Sequence, residues 1–151
     1  YYLHEITRYS ILKMFNGEKE KTKNYETFIV SLKVVEEALK NPERVDWIEE
    51  EIKHRHSNKT FMGSSNINEV LKLNSTKEVY RNVAAKIDDN QAFTKEMLDE
   101  IYKRRNQIVH QSDSQPASNQ MNLITIEEVE KYVIFIEKFI LYVHDEIVQD
   151  F

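Results

Sequence analysis

Ile126, Val129, Val133, Ile136, Ile140, Val143 and Ile147 recur at alternating three- and four-residue steps. That is the spacing of one face of an α-helix held over about six turns. A second row, Tyr132, Phe135, Phe139 and Tyr142, lies beside the first and widens the apolar stripe beyond what one neighbouring helix covers. An element of this length and breadth commits the chain to helix-on-helix packing. It reads either as the central helix of a bundle or as a helix that shares part of its face with a second chain. Its start is written in Thr125-Ile126-Glu127-Glu128, a capping box in which hydroxyl and carboxylate satisfy the first free amides reciprocally.

The remainder is consistent with an all-α chain. Only two Gly and two Pro occur in 151 residues, far below the usual share of roughly 7% and 5%, so tight turns are few. Six or seven helices are expected and no convincing strand. Leu3, Ile6, Ile11, Leu12 and Phe15 predict a helix over residues 2–15, ended by Asn16-Gly17. Residues 18–23 read as a solvated, lysine-rich loop. Phe28, Leu32, Val35 and Leu39 predict a core helix over 24–39, and Asn41-Pro42-Glu43 predicts the start of another through Val45, Ile48 and Ile52. A polar loop over 57–65 leads to a short helix with Ile67, Val70, Leu71 and Leu73. Ser75 to Glu78 has the capping-box pattern ahead of Val79, Val83 and Ile87, and Thr94 is placed as the cap of the next helix.

The formal charge is −5, so the molecule lacks the basic field of a protein that grips long nucleic acid nonspecifically, and any such contact must be local. With no cysteine, disulfide frameworks and thiol catalysis are excluded, which is compatible with the cytoplasm as its compartment. No apolar run is long enough to span a membrane. The sequence is expected to form a single domain over 1–151. Because it opens YYLHE without methionine, it is read as a trimmed or partly ordered fragment.

Chemistry concentrates in RRNQIVHQSD, which starts at Arg104. On a wheel of about 100° per residue, Met97, Leu98, Ile101 and Ile108 share a face. Arg105 falls inside that apolar sector, Arg104 at its edge, and Asn106 and His110 together on the far side. Arg105 and His110 then point about 140° apart on an unbroken helix. An arginine on a buried stripe calls for a carboxylate partner or a stem that reaches solvent, so a structural ion pair is one reading. A histidine at a helix end interacting with the dipole is the corresponding reading for His110. The other reading is RNA cleavage without a metal. Histidine takes the 2′-hydroxyl proton, and an arginine fork holds the charge that develops on phosphorus-bound oxygen. Asn106 could orient the imidazole or bond the phosphate.

Arg105-Asn106-Gln107-Ile108-Val109-His110 resembles the R-x4-6-H motif of the HEPN superfamily, including the polar residue after the arginine. The segment TFMGSSNINEVLKL, the helix ending RRNQIVH, the polar loop after it and the final helix opened by ITIEEVEKY resemble the RiboL-PSP-HEPN group in particular, over roughly residues 24–148. The resemblance implies an up-and-down helical bundle with additional short helices, a homodimer, RNA as substrate and no cofactor. Many members are metal-independent endoribonucleases of toxin, phage-defence or RNA-processing systems, so an antitoxin or fused domain is a further partner. It assigns catalysis to Arg105, Asn106 and His110. Arg104 also fits the spacing and is kept as a substrate-binding residue. The rival reading is a noncatalytic HEPN module that binds nucleotide or RNA or dimerises a larger protein, and a purely structural interaction domain needs no motif at all.

Other patterns carry less. His54 and His56 stand about 200° apart on a helix and share no metal-binding face. The run from Lys53 to His56, with Lys59, reads as a solvated helix end or a local RNA backbone contact. Phosphate-cradling glycine loops are excluded by the glycine count. Ser112, Ser114 and Ser118, near Pro116, read as loop residues.

Overall fold

The computed structural model describes residues 1–44, 46–57, 60–113 and 124–149, with only the backbone of 111–113. Val45, Asn58 and Lys59, and the Ser114, Pro116 and Ser118 stretch lie outside the described residues. Helices α1 (Tyr2–Phe15), α2 (Lys23–Glu26), α3 (Leu32–Lys40), α4 (Trp47–Ser57), α5 (Ser64–Asn74), α6 (Val79–Ile87), α7 (Gln91–Asp113) and α8 (Ile126–Val148) follow in order. No strand occurs among the described residues.

The fold is an all-α bundle whose main core is shared by α1, α5, α6, α7 and α8. Ile6, Leu71, Val83, Met97, Phe135, Phe139, Val143 and Ile147 meet there. The α8 helix packs on α6 and α7, and α5 packs on α1, α6 and α7. A smaller core of Ile11, Ile48 and Ile52, with Trp47 and Phe28 against it, joins α4 to the back of α1. Between α1 and α5 the buried Asn74 amide donates to Thr7 Oγ1 at 2.8 Å and to the Val70 carbonyl at 2.8 Å. A polar link inside a core fixes how the two helices are seated, because any shift strands a donor away from water.

The first and last helices follow the sequence pattern. α1 ends at Asn16 ahead of Gly17, whose φ of +75° is the left-handed turn that favours glycine. α8 opens with the reciprocal Thr125–Glu128 capping box. Several interior expectations are corrected. The core helix expected over 24–39 is two helices, α2 and α3, and neither contains a buried residue. Thr27 turns its hydroxyl back onto the Lys23 carbonyl at 3.1 Å, a β-branched stretch follows, and Ser31 caps a new helix by accepting from the Val34 amide. Residues 41–43 form a turn, and α4 starts only at Trp47. In the loop after α1, Lys19 and Thr22 are buried, so the run is not uniformly solvated. The Ser75–Glu78 pattern does not make the cap of α6. Glu78 occupies that position without a side-chain cap, while Ser75 Oγ accepts from the Lys77 amide at 3.1 Å. α7 begins before Thr94, which is buried inside it, and runs through the backbone of Ser112.

α8 also differs in which row it buries. As far as Phe139 the buried residues are Tyr132, Phe135 and Phe139 from the second row. Ile126, Val129, Val133 and Ile136 of the regular row are exposed, Ile126 by 75% and Val133 by 49%. Only toward the C-terminus does that row enter the core, at Val143 and Ile147. The stripe was wider than one neighbour covers, and the bundle covers one side of it.

Candidate active site

Every residue of the motif is carried by α7, so what matters is how α7 is held and where its support stops. α7 and α8 run antiparallel, with Phe93 edge-on to Phe135 at 6.1 Å and Glu100 bonded to Tyr132 further along. Met97 and Leu98 are buried in the main core. On another side of the helix Asp99 takes the Ser64 amide at 2.8 Å and the Ser64 hydroxyl at 2.9 Å, which ties the start of α5 to α7. Gly63, at φ +78°, sits so close that an added Cβ would lie 3.4 Å from the Tyr102 ring. The polar loop before α5 is thereby fastened to α7 one turn ahead of the motif.

Tyr132 donates to Glu100 Oε1 at 2.7 Å, and Lys131 lies 3.5 Å from the same oxygen. The phenol is pushed from 10.0 to about 12, first by that bond to a carboxylate, then by burial and by the charges of Glu100 and Glu128, with Arg104 acting in the opposite direction. Arg104 is half-buried and lies near enough to α8 for its charge to reach this phenol. Its Nη1 donates weakly to Gln107 Oε1 at 3.4 Å.

The next residue behaves differently. Arg105, expected inside the buried sector, is exposed, and its Nη1 donates to Asn106 Oδ1 at 3.1 Å. The physical reason is that the apolar stripe of α7 outruns the core: Ile108, on the same face, is 43% exposed. Asn106 is half-buried and His110 exposed. The helix remains unbroken past His110 to Asp113. At about 100° per residue Arg105 and His110 therefore diverge by about 140° around one axis. The four sequence-predicted residues occupy one helix end, where Arg105 and Asn106 are brought together while Arg105 and His110 face apart.

Sequence reasoning missed Asp99, Glu100 and Tyr132. Glu100 stands four residues before Arg104, a spacing that places acid and base on one helix face and could have flagged it. Tyr132 was counted as part of an apolar row, and its hydroxyl was the overlooked signal, since a buried phenol finds a partner. Nothing local announces that Asp99 caps a helix from outside it. The two histidines of the 53–56 run separate as expected, and only His54 faces solvent. His56 is buried against Phe61, whereas His54 is exposed and lines a different groove with Arg44 and Glu50. Among the described residues no group of three or more acidic or histidine side chains is gathered as a metal centre would need, and no helix is long and apolar enough to cross a membrane.

No curated protein and no solved structure matches the chain. The family model RiboL-PSP-HEPN matches residues 2–149. That extent adds α1, which the sequence resemblance left out, to the shared domain. The buried Asn74–Thr7 link and the packing of Ile6 in the main core give α1 a physical place there. A helical bundle with this motif at the exposed end of α7, and a match over nearly the whole chain, make the protein a member of the RiboL-PSP-HEPN family, a HEPN-type domain of nuclease and RNA-related modules in general.

Proposed function

We propose that the protein is a metal-independent endoribonuclease that works as a homodimer, with Arg105 and His110 of two copies meeting one phosphate. The observation that carries this reading is the divergence of Arg105 and His110 on an unbroken, exposed helix end, beside a bundle that leaves the Ile126, Val129, Val133 and Ile136 row uncovered. On one copy the two side chains point apart, so a phosphate meets both more readily when a second copy is present. A two-fold partner can present its own helix end from the opposite side, and the open apolar row offers it a surface to bury.

In this reading His110 removes the 2′-hydroxyl proton. The 2′-oxygen attacks phosphorus, the 5′-oxygen departs and takes up a proton, and the products carry 2′,3′-cyclic phosphate and 5′-hydroxyl ends. That proton comes from water, so one Arg105 and one His110 suffice at each phosphate. Arg105 holds the negative charge that builds on the nonbridging oxygens, and Asn106, bonded to its guanidinium, keeps that fork in place. Arg104, turned toward α8, contacts the flanking backbone. The setting is a cytoplasmic toxin, phage-defence or RNA-processing system, with an antitoxin or fused domain as restraint.

The test is incubation with structured and unstructured RNA in EDTA, followed by end-group analysis. Cyclic phosphate ends are expected. Intact RNA across both substrates would leave a noncatalytic RNA-binding or dimerising module in its place.

A further inference from the structure

Away from the motif, a groove of about 770 Å³ runs between α2 and the connection that follows it, the end of α4, and the length of α5. Phe28 and Phe61 stand in its walls beside Ile29, Val70, Leu73 and the Glu69 carboxylate. On one side Arg55 lies over the Phe28 ring, 5.3 Å from its centre, with Nε donating to the buried Glu51 carboxylate at 2.8 Å. The stem and Nε are thus engaged, and the side chain also lines the groove. On the other side Phe61 is stacked on His4 at 4.1 Å and meets His56 edge-on at 5.1 Å. Asn66 Nδ2 donates to the carbonyls of Thr60 at 3.2 Å and Met62 at 3.3 Å, which holds this loop and leaves the amide oxygen as an acceptor. Asn24 adds a second amide.

We infer that this groove is a subsite for one unpaired nucleotide, with the phosphate on the Arg55 fork, the base against the Phe28 and Phe61 walls, and its edge read by the two asparagine amides. The ligand follows from the chemistry. A wholly apolar occupant would strip water from Arg55, Asn24 and Asn66 without replacing it. An acidic peptide would use the fork but leave two aromatic walls and two amides idle. A nucleotide uses all three, since guanidinium matches phosphate oxygens and flat rings accept any base. The charge of −5 gives RNA no long-range attraction, so a strand must be held by short-range contacts of this kind. The Phe61 wall also belongs to the loop that Ser64–Asp99 and Gly63–Tyr102 fasten to α7, three residues before Arg105. The inference rests on the RNA reading of the motif and makes the substrate single-stranded.

The test uses a fluorescein-labelled 2′-O-methyl hexanucleotide, which has no free 2′-hydroxyl and stays intact, with binding read by anisotropy. Arg55→Gln should weaken binding about tenfold and Arg55→Lys by less, since a lysine keeps charge but loses the fork. Lys53→Gln, on the same helix, should stay within about twofold. Thermal melting checks that each variant is folded. In the wild-type protein, amide resonances of Arg55, Phe61 and Asn66 should shift on titration. Competition by uridine monophosphate that depends on Arg55 would assign the groove to free mononucleotides as well, and competition only by the hexanucleotide would assign it to the strand. Equal affinity in wild type and Arg55→Gln, or no binding by wild type, overturns the inference. Cleavage of ordinary RNA together with Arg55-independent binding would sink the groove and keep the nuclease. Arg55-dependent binding without cleavage would do the reverse.

Discussion

Asp99, in the middle of α7, accepts both the backbone amide and the hydroxyl of Ser64, at 2.8 and 2.9 Å, so α5 is capped by a side chain from another helix. A carboxylate there also meets the positive end of the α5 dipole. Asp99→Ala should therefore destabilise the fold by about 1–2 kcal/mol, as lost caps do. Asp99→Asn should cost less, because the amide oxygen still accepts from Ser64. Urea denaturation separates the two, and equal losses would mean the charge alone mattered.

The two arginines of the motif should part in their effects. Arg105 is exposed, so Arg105→Ala is expected to change stability by no more than about 0.5 kcal/mol while abolishing cleavage. Arg104 is half-buried toward α8, so Arg104→Ala should lower the melting temperature and weaken RNA binding more than it slows bound-substrate turnover. Single-turnover kinetics on both variants, with melting curves, checks the division. An active Arg105→Ala would overturn the assignment.

Val133→Glu and Ile136→Glu place a charge on the uncovered row of α8. Both should fold, run as monomers in analytical ultracentrifugation and lose activity. Mixing Arg105→Ala with His110→Ala after joint refolding should restore part of the cleavage, since one heterodimer site has both wild-type side chains on different copies. A fully active monomer would refute the shared site.

Two ionisable contacts contribute to the pH dependence of stability in opposite directions. Lys86 and then Asn82 hold the Glu146 carboxyl below its ordinary 4.5. The stabilisation is fully present above 4.5 and is lost as pH falls from there through the folded value. Glu146→Gln should flatten the acid limb of the stability profile. Tyr132, raised from 10.0 to about 12, stabilises the fold fully below pH 10 and loses that contribution as pH rises toward 12. Tyr132→Phe should cost about 1 kcal/mol at neutral pH and reduce the alkaline loss.

The elements that the sequence made legible are those whose signals are local and agree with one another. α8 carries a capping box and a long period, and α1 a period and a glycine stop. Elements were misplaced where local and tertiary signals compete. Phe28, Leu32 and Leu39 have helical spacing, but Thr27 and Ser31 spend their hydroxyls on the backbone and split the segment. Thr94 has the chemistry of a cap and is buried inside α7 instead. Arg105 was placed in a buried sector because a wheel knows the direction of a stripe but not where the neighbouring helix ends. The motif itself was visible at full resolution. Its supports, Asp99 and the Glu100–Tyr132 pair, depend on residues that are 32 or more positions apart in the chain, and single-chain periodicity does not report such pairs.

α3 has nine residues, none of them buried, and its principal packing is on α4. A helix of that length is below the roughly 12–15 residues needed to persist in water without support. Its amides are therefore expected to exchange with deuterium through local opening, well before those of α7 and α8, whose exchange should track global unfolding. Leu32, 80% exposed, and Leu39, 76% exposed, would then spend part of the time on a detached, fraying helix. That makes α3, among the described helices, the first where a protease should nick the bundle.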